Sequence, residues 1–192
     1  MRKRMRRLVF ACALACASLL LVSGGAGART SNESFDLHVG DGFGPPLAAP
    51  SMARAGNGDT IEVVLTGAFN KRAKTASGGG TWTHRRGSTV LGSGTVTLTR
   101  TVALQFYGCG VAPDGSSLPP NFCGGRVILR AHFAGVDSVL GAEFNGQIEV
   151  NCQIHDPGKE PPPGTSEGVK VNTRGINFNK HVSGANLFVQ TT

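Results

Sequence analysis

Aromatic side chains and charges are both scarce in this chain, which has one tryptophan, one tyrosine and only 16% charged residues. A stacking platform for a polar ligand is therefore restricted to few positions, with Trp82 and Tyr107 the two rings that carry their own hydrogen-bonding group. The motifs of common chemistries are absent as well. No H-x-H or H-E-x-x-H arrangement joins His38, His84, His132, His155 and His181, none has a cysteine at ligand spacing, and there is no G-x-S-x-G nucleophile elbow. Neither a metal nor a cofactor is expected on these grounds. Glu143 and Glu149 share a strand face, but six residues of strand hold them about 20 Å apart, too far for the paired carboxyls of glycoside hydrolysis. After residue 30 no stretch keeps apolar residues at helical spacing for three turns, which excludes a helical domain.

What is present begins with an export pattern. Met1 to Arg7 carries five basic side chains, Leu8 to Val22 runs fifteen residues without a charge, and the run breaks into Ser23-Gly24-Gly25-Ala26-Gly27-Ala28. The run is shorter than the roughly 20 apolar residues of a bilayer-spanning helix, so residues 1–28 read as a cleavable signal peptide and not as an anchor. Small side chains at Ala26 and Ala28 place the cut near Ala28. A lipoprotein cut at Cys12 or Cys16 and twin-arginine export through Arg6-Arg7 are the alternatives. The expected localisation is secreted and extracellular. Cleavage removes five of the 19 Lys and Arg and none of the 12 acids, so the net charge falls from +7 to +2. The high whole-chain pI thus belongs to the leader, and no nucleic-acid partner, nor a membrane partner after cleavage, is expected. Asn32-Glu33-Ser34 is a glycosylation sequon that matters only in a eukaryotic host.

Three cysteines remain after cleavage, an odd number for an oxidising compartment. Cys109 and Cys123 flank a Pro-, Gly- and Ser-rich stretch that reads as a loop, and a disulfide between them would stabilise the fold by about 3 kcal/mol. Cys152 alternates with Ile148, Val150 and Ile154, which makes it a buried thiol on a strand, with an intermolecular disulfide as the alternative.

Residues 29–58 read as a leader, a first short strand at Ser34 to Val39 and a Gly- and Pro-rich linker, and residues 59–192 as a single β domain. The clearest half-buried strand is Thr60 to Asn70, where Ile61, Val63, Leu65 and Phe69 occupy one face. Val90 to Tyr107 stays extended over a length that would reach about 60 Å, so it must bend, with Gly92, Gly94 and Arg100 as candidate positions. Arg126 to Ala134 alternates next, with Arg126, Arg130 and His132 on its outer face. One parity holds from Leu140 to Ile154, so a continuous strand is preferred there even though Asn145-Gly146 is a strong hairpin signal. Short closing strands follow at Val169 to Val171, Ile176 to Phe178 and Leu187 to Val189. The fold class predicted is all-β, a small antiparallel β-barrel, with a two-sheet β-sandwich as the alternative.

Four residues are candidates for ligand binding. The parity that brings Val96, Leu98, Val102, Leu104 and Phe106 inward brings Arg100 inward too, and a buried charge must be answered. A bend could turn it out, an internal carboxylate could pair it, or it could hold a ligand's carboxylate or phosphate bidentately at a pocket mouth. Trp82 and His84 alternate on one strand face, followed by Arg86, and offer a sugar-stacking surface; the alternative for Trp82 is the core. Tyr107, beside the Cys109 to Cys123 loop, could join either group. The stretch from Gly78 to His84, the Gly94-Thr95 strand start and the Phe106-Tyr107-Gly108 end resemble a group of small exported β-domain proteins of soil bacteria and fungi, over roughly residues 59–190. That resemblance implies export and a β domain and carries over no functional residue. The expected function is a secreted, non-catalytic domain binding a glycan or a small amphipathic acid at Trp82, His84, Arg100 and Tyr107. A small barrel enzyme using a histidine as acid or base is one alternative, and a structural or interaction module of the cell surface is the other.

Overall fold

The computed structural model describes residues 33–191. The expected signal peptide, its cleavage site near Ala28 and Asn32 of the sequon lie outside the described residues. Among the described residues the chain forms β1 (Ser34–Val39), β2 (Ser51–Ala55), β3 (Thr60–Asn70), β4 (Thr75–Arg86), β5 (Thr89–Cys109), β6 (Phe122–Asp137), β7 (Glu143–Cys152), β8 (Gly168–Asn172), β9 (Asn177–Ser183) and β10 (Asn186–Thr191). One 3-10 turn, Pro45–Leu47, lies between β1 and β2. No helix among these residues is long and apolar enough to cross a membrane.

The fold is all-β and antiparallel. Strands pair in the order β6-β5-β4-β3-β2-β9-β8-β7, and β7 pairs back onto β6, so eight strands close a ring. β2 lies along β3 only as far as Val63, and β1 takes up the same edge from Leu65 onward. Likewise β10 meets β6 at Phe122 and Cys123, next to where β7 begins to pair at Gly125. Phe35, Leu37 and Val39 of β1 and Ala53 and Ala55 of β2 are buried in the common core. The segment expected as leader, first short strand and linker therefore supplies two strands of the same sheet, the expected one at Ser34–Val39 and β2.

Local chemistry explains most strand boundaries. In β3 the alternation of Ile61, Val63 and Leu65 with polar neighbours becomes a buried face and a wetter one. β4 starts at Thr75 and keeps Gly78-Gly79-Gly80 inside the strand. A Cβ added to Gly80 would stand 1.8 Å from the Val64 carbonyl oxygen, so a close approach of β3 and β4 requires glycine there. β7 runs unbroken through Asn145-Gly146, since β6 offers a partner at every position from Gly125 to Ala134 and Phe144 stacks on Phe133 at 4.8 Å. Continuous pairing outweighs the local turn preference.

β5 is the strand where simple alternation fails. Its 21 residues follow β6 through register shifts between Leu98 and Arg100, Thr101 and Ala103, and Phe106 and Gly108. Each β-bulge inserts a residue and exchanges the two faces. Val96 and Leu98 are buried, but beyond the first bulge Thr101 is the buried residue and Arg100 is exposed; beyond the second Leu104 packs against the core, and at the third Tyr107 is buried while Phe106 before it is exposed. The strand bends near Arg100, one of the three expected positions, and that bend overturns the inward arginine.

The core contains Trp82 set edge-on to Phe133 and Phe144, at 6.2 and 5.6 Å between ring centroids, and a second cluster of Phe35, Phe69 and Phe188. Each of these large side chains contributes about 1.5–3 kcal/mol by leaving water. Cys109 and Cys123 are disulfide-bonded across β5 and β6, and Cys152 is a free, buried thiol. The loop closed by the disulfide is fastened to the segment after β7, where Val111 and His155 exchange backbone hydrogen bonds of 3.1 and 3.0 Å.

Candidate functional site

The four candidate residues do not form one site. Arg100 faces away from the core, directly across from Arg130 on β6. Trp82 is 1% exposed, and its Nε1 donates to the Thr95 carbonyl at 3.1 Å, so its indole belongs to the core and presents no face to a sugar.

His84 is fully buried beside Trp82 on the inner face of β4, with Phe178 edge-on at 5.2 Å. Its Nδ1 lies 2.7 Å from Asp137 Oδ2 and its Nε2 3.4 Å from Asp59 Oδ2. A carboxylate only accepts, so Nδ1 is the donor to Asp137. The other Asp137 oxygen accepts the N–H groups of Val139 and Leu140, each at 2.7 Å, which holds the turn between β6 and β7. Asp59 accepts a two-pronged contact from Arg86, at 2.8 and 2.9 Å, and a bond from Asn57. The Arg86 guanidinium holds the Asp59 carboxyl down at about 2, against the opposing pull of burial. This acid–histidine–acid chain meets solvent only through Arg86, so a substrate has no path to the imidazole; it ties three turns of the ring together.

Tyr107 is also buried, and its hydroxyl donates to Asn151 Oδ1 at 3.0 Å while burial pushes its phenol up. Asn151 in turn donates from Nδ2 to the Ser166 carbonyl. Through that bond Tyr107 supports the segment carrying Glu167, a residue that sequence reasoning passed over.

Glu167 sits in the wall of a cavity of about 490 Å³ that is otherwise almost entirely apolar. Four distant segments line it: the β1–β2 connection with Phe43 and Leu47, the disulfide-closed loop with Ala112 and Leu118, the end of β7 and the residues after it with Cys152 and Ile154, and the start of β10 with Leu187. Glu167 Oε1 accepts the Asn186 N–H and Oε2 the Gln153 N–H, both at 2.7 Å. Burial pushes its carboxyl up to about 7 in spite of those two bonds. Cys152, 1% exposed, is pushed well above the usual thiol range by the same cause and stays protonated. Asn186 is fixed by a bond from Ser51 Oγ to its Oδ1 and by its own Nδ2 donating to the Asn151 carbonyl, each at 3.0 Å. Phe43 stands half-exposed at the rim, stacked 4.1 Å from His38, whose Nδ1 is 2.7 Å from Asp41.

Such a half-open apolar cleft suits the apolar body of a small molecule, with one carboxyl to meet a hydrogen-bond donor. Two smaller hollows, of about 280 Å³ beside Pro161-Pro162-Pro163 and about 210 Å³ beside Phe144 and Arg174, lack its apolar lining. Among the described residues no three His, Cys, Asp or Glu side chains are placed to hold a metal ion. In sequence Glu167 is marked only as a single acid at the end of a Pro- and Gly-rich loop, and periodicity carries no information about loops. Comparison with protein-family models, with curated proteins and with solved structures finds no match to this chain.

Proposed function

We propose that this chain is an exported, non-catalytic binding domain that holds a small, mostly apolar molecule in the cavity walled by Phe43, Leu47, Leu118, Ile154 and Leu187. The observation that carries this reading is the cavity: about 490 Å³ lined by apolar side chains falls within the roughly 300–1,000 Å³ of small-molecule pockets. Export is supported by the basic and apolar segments at the start of the sequence and is compatible with the Cys109–Cys123 disulfide, a bond that persists in oxidising compartments. In this reading the eight-strand ring is a small barrel, an interpretation supported by its closure through β6 and β7 and by the inward set of Ile61, Val63, Trp82, Phe133 and Ile148.

Catalysis has less support. His84 is sealed from solvent and the Cys152 thiol stays protonated. A glycan is also less well matched, because a sugar needs many polar partners and the cavity offers few.

The test is titration with Nile red, a neutral apolar dye, on wild-type protein and on Ala112→Trp and Leu118→Trp variants that fill the cavity. A saturable rise in emission that either variant suppresses, with the unfolding midpoint unchanged, is expected. No rise with folded wild type, or equal binding in both variants, would refute the proposal.

A further inference from the structure

Glu167 is the one carboxylate among the described residues lining the cavity, and no charge among those residues neutralises it. Among the described residues no Lys, Arg or His forms an ion pair with Glu167, although the buried acids Asp59 and Asp137 both have such a partner. The remaining ionisable group in the wall is the Cys152 thiol, and no basic side chain lines the cavity. The Glu167 carboxylate accepts the Gln153 and Asn186 N–H groups and a side-chain bond from Asn186, three of its roughly four acceptor positions.

Resting on the binding reading above, we infer that the ligand carries a cationic head, an ammonium group on an apolar body, which pairs with the Glu167 carboxylate inside the cavity. A half-buried carboxylate that lines an apolar cavity without a counter-charge is costly, and an ammonium that enters with its own apolar tail offsets that cost through a charge-assisted hydrogen bond. The upward displacement of the Glu167 carboxyl to about 7 is the same cost seen in proton affinity: without a ligand the site takes up a proton in place of a cation. The arrangement also selects against acids, since a ligand carboxylate would bring a second negative charge into the cavity with no donor cation to receive it. This inference replaces the expected amphipathic acid with an amphipathic base. Arg100, the residue assigned to bind an acid, is exposed on the outer face of β5.

The experiment compares octylamine, octanol and octanoate, which share one tail, by calorimetric titration of wild-type protein at pH 8, where Glu167 is ionised and octylamine protonated. Octylamine should bind at least tenfold tighter than octanol, and octanoate weakest. In Glu167→Gln, shown to be folded by its unfolding transition, the amine's advantage should shrink to within about threefold. Octanol binding as tightly as octylamine in wild type, or an amine preference that persists in the variant, overturns the cationic head while leaving the apolar pocket standing. No binding by any of the three refutes the pocket and the inference together.

Discussion

Replacing His84 is the sharpest test of how the interior of the ring is held together. His84→Leu keeps roughly the same volume beside Phe178 but removes the donor 2.7 Å from Asp137 Oδ2. Asp137 is only 6% exposed, so that oxygen would be left buried without a partner, while Asp59 would keep Arg86 and Asn57. Breaking a buried pair from one side costs about 3–5 kcal/mol, a large part of the 5–15 kcal/mol typical of a whole domain. His84→Asn places its side-chain amide near the position of Nδ1, so it should keep the bond to Asp137, lose the longer contact to Asp59, and recover about half of that loss. Urea unfolding of the three proteins, with unchanged dependence on denaturant, measures both differences. A loss below about 1 kcal/mol for His84→Leu, or an Asn variant no more stable than the Leu variant, would refute the account in which the Asp137–His84 bond, and not packing alone, holds these turns.

The remaining predictions concern pH, the disulfide and the outer face. Glu167 has its folded pKa raised from the ordinary 4.5 to about 7, so its contribution to stability is fully present below pH 4.5 and is lost as pH rises through 7. Without ligand that loss amounts to about 3 kcal/mol, and Glu167→Gln should flatten the slope of urea midpoint against pH between 4 and 8. Asp59 has the opposite sign: held at about 2, it contributes stability above its ordinary 3.8 that is lost as pH falls toward 2, and Arg86→Ala should move acid unfolding to higher pH in circular dichroism. Removing both Cys109 and Cys123 should cost about 3 kcal/mol in urea unfolding and, because the closed loop forms one wall of the cavity, should weaken Nile red binding as well. Arg100→Ala should change stability by less than about 0.5 kcal/mol and leave dye binding unaltered, since the side chain is exposed.

Features that depend on neighbours in sequence were legible before folding. The two-residue period of Thr60 to Asn70 became β3, and the single parity through Asn145-Gly146 became β7. Cys109 and Cys123 were paired from the loop composition between them, and Cys152 was placed on a buried face by its alternation with Ile148 and Val150. Side-chain direction in an extended strand is a local property, and for this reason such readings survive.

The same rule failed at β5, because a bulge is fixed by the partner strand. Three shifts against β6 turned Arg100 outward, Thr101 inward, and exchanged Phe106 for Tyr107 in the core. Trp82 and His84 were placed on one face correctly, but only the closure of the ring made that face interior and denied them to a ligand. The cavity lay furthest from the sequence. Its walls come from residues 43–47, 112–122, 152–167 and 185–187, segments that are brought together by pairing across the sheet and by the loop fastened at Val111 and His155. Sequence by itself determined strand pattern, disulfide and the export-like start of the chain. Tertiary structure alone decided which carboxyl lines the cavity without a counter-charge among the described residues, because its desolvation and its charged neighbours depend on everything packed around Glu167.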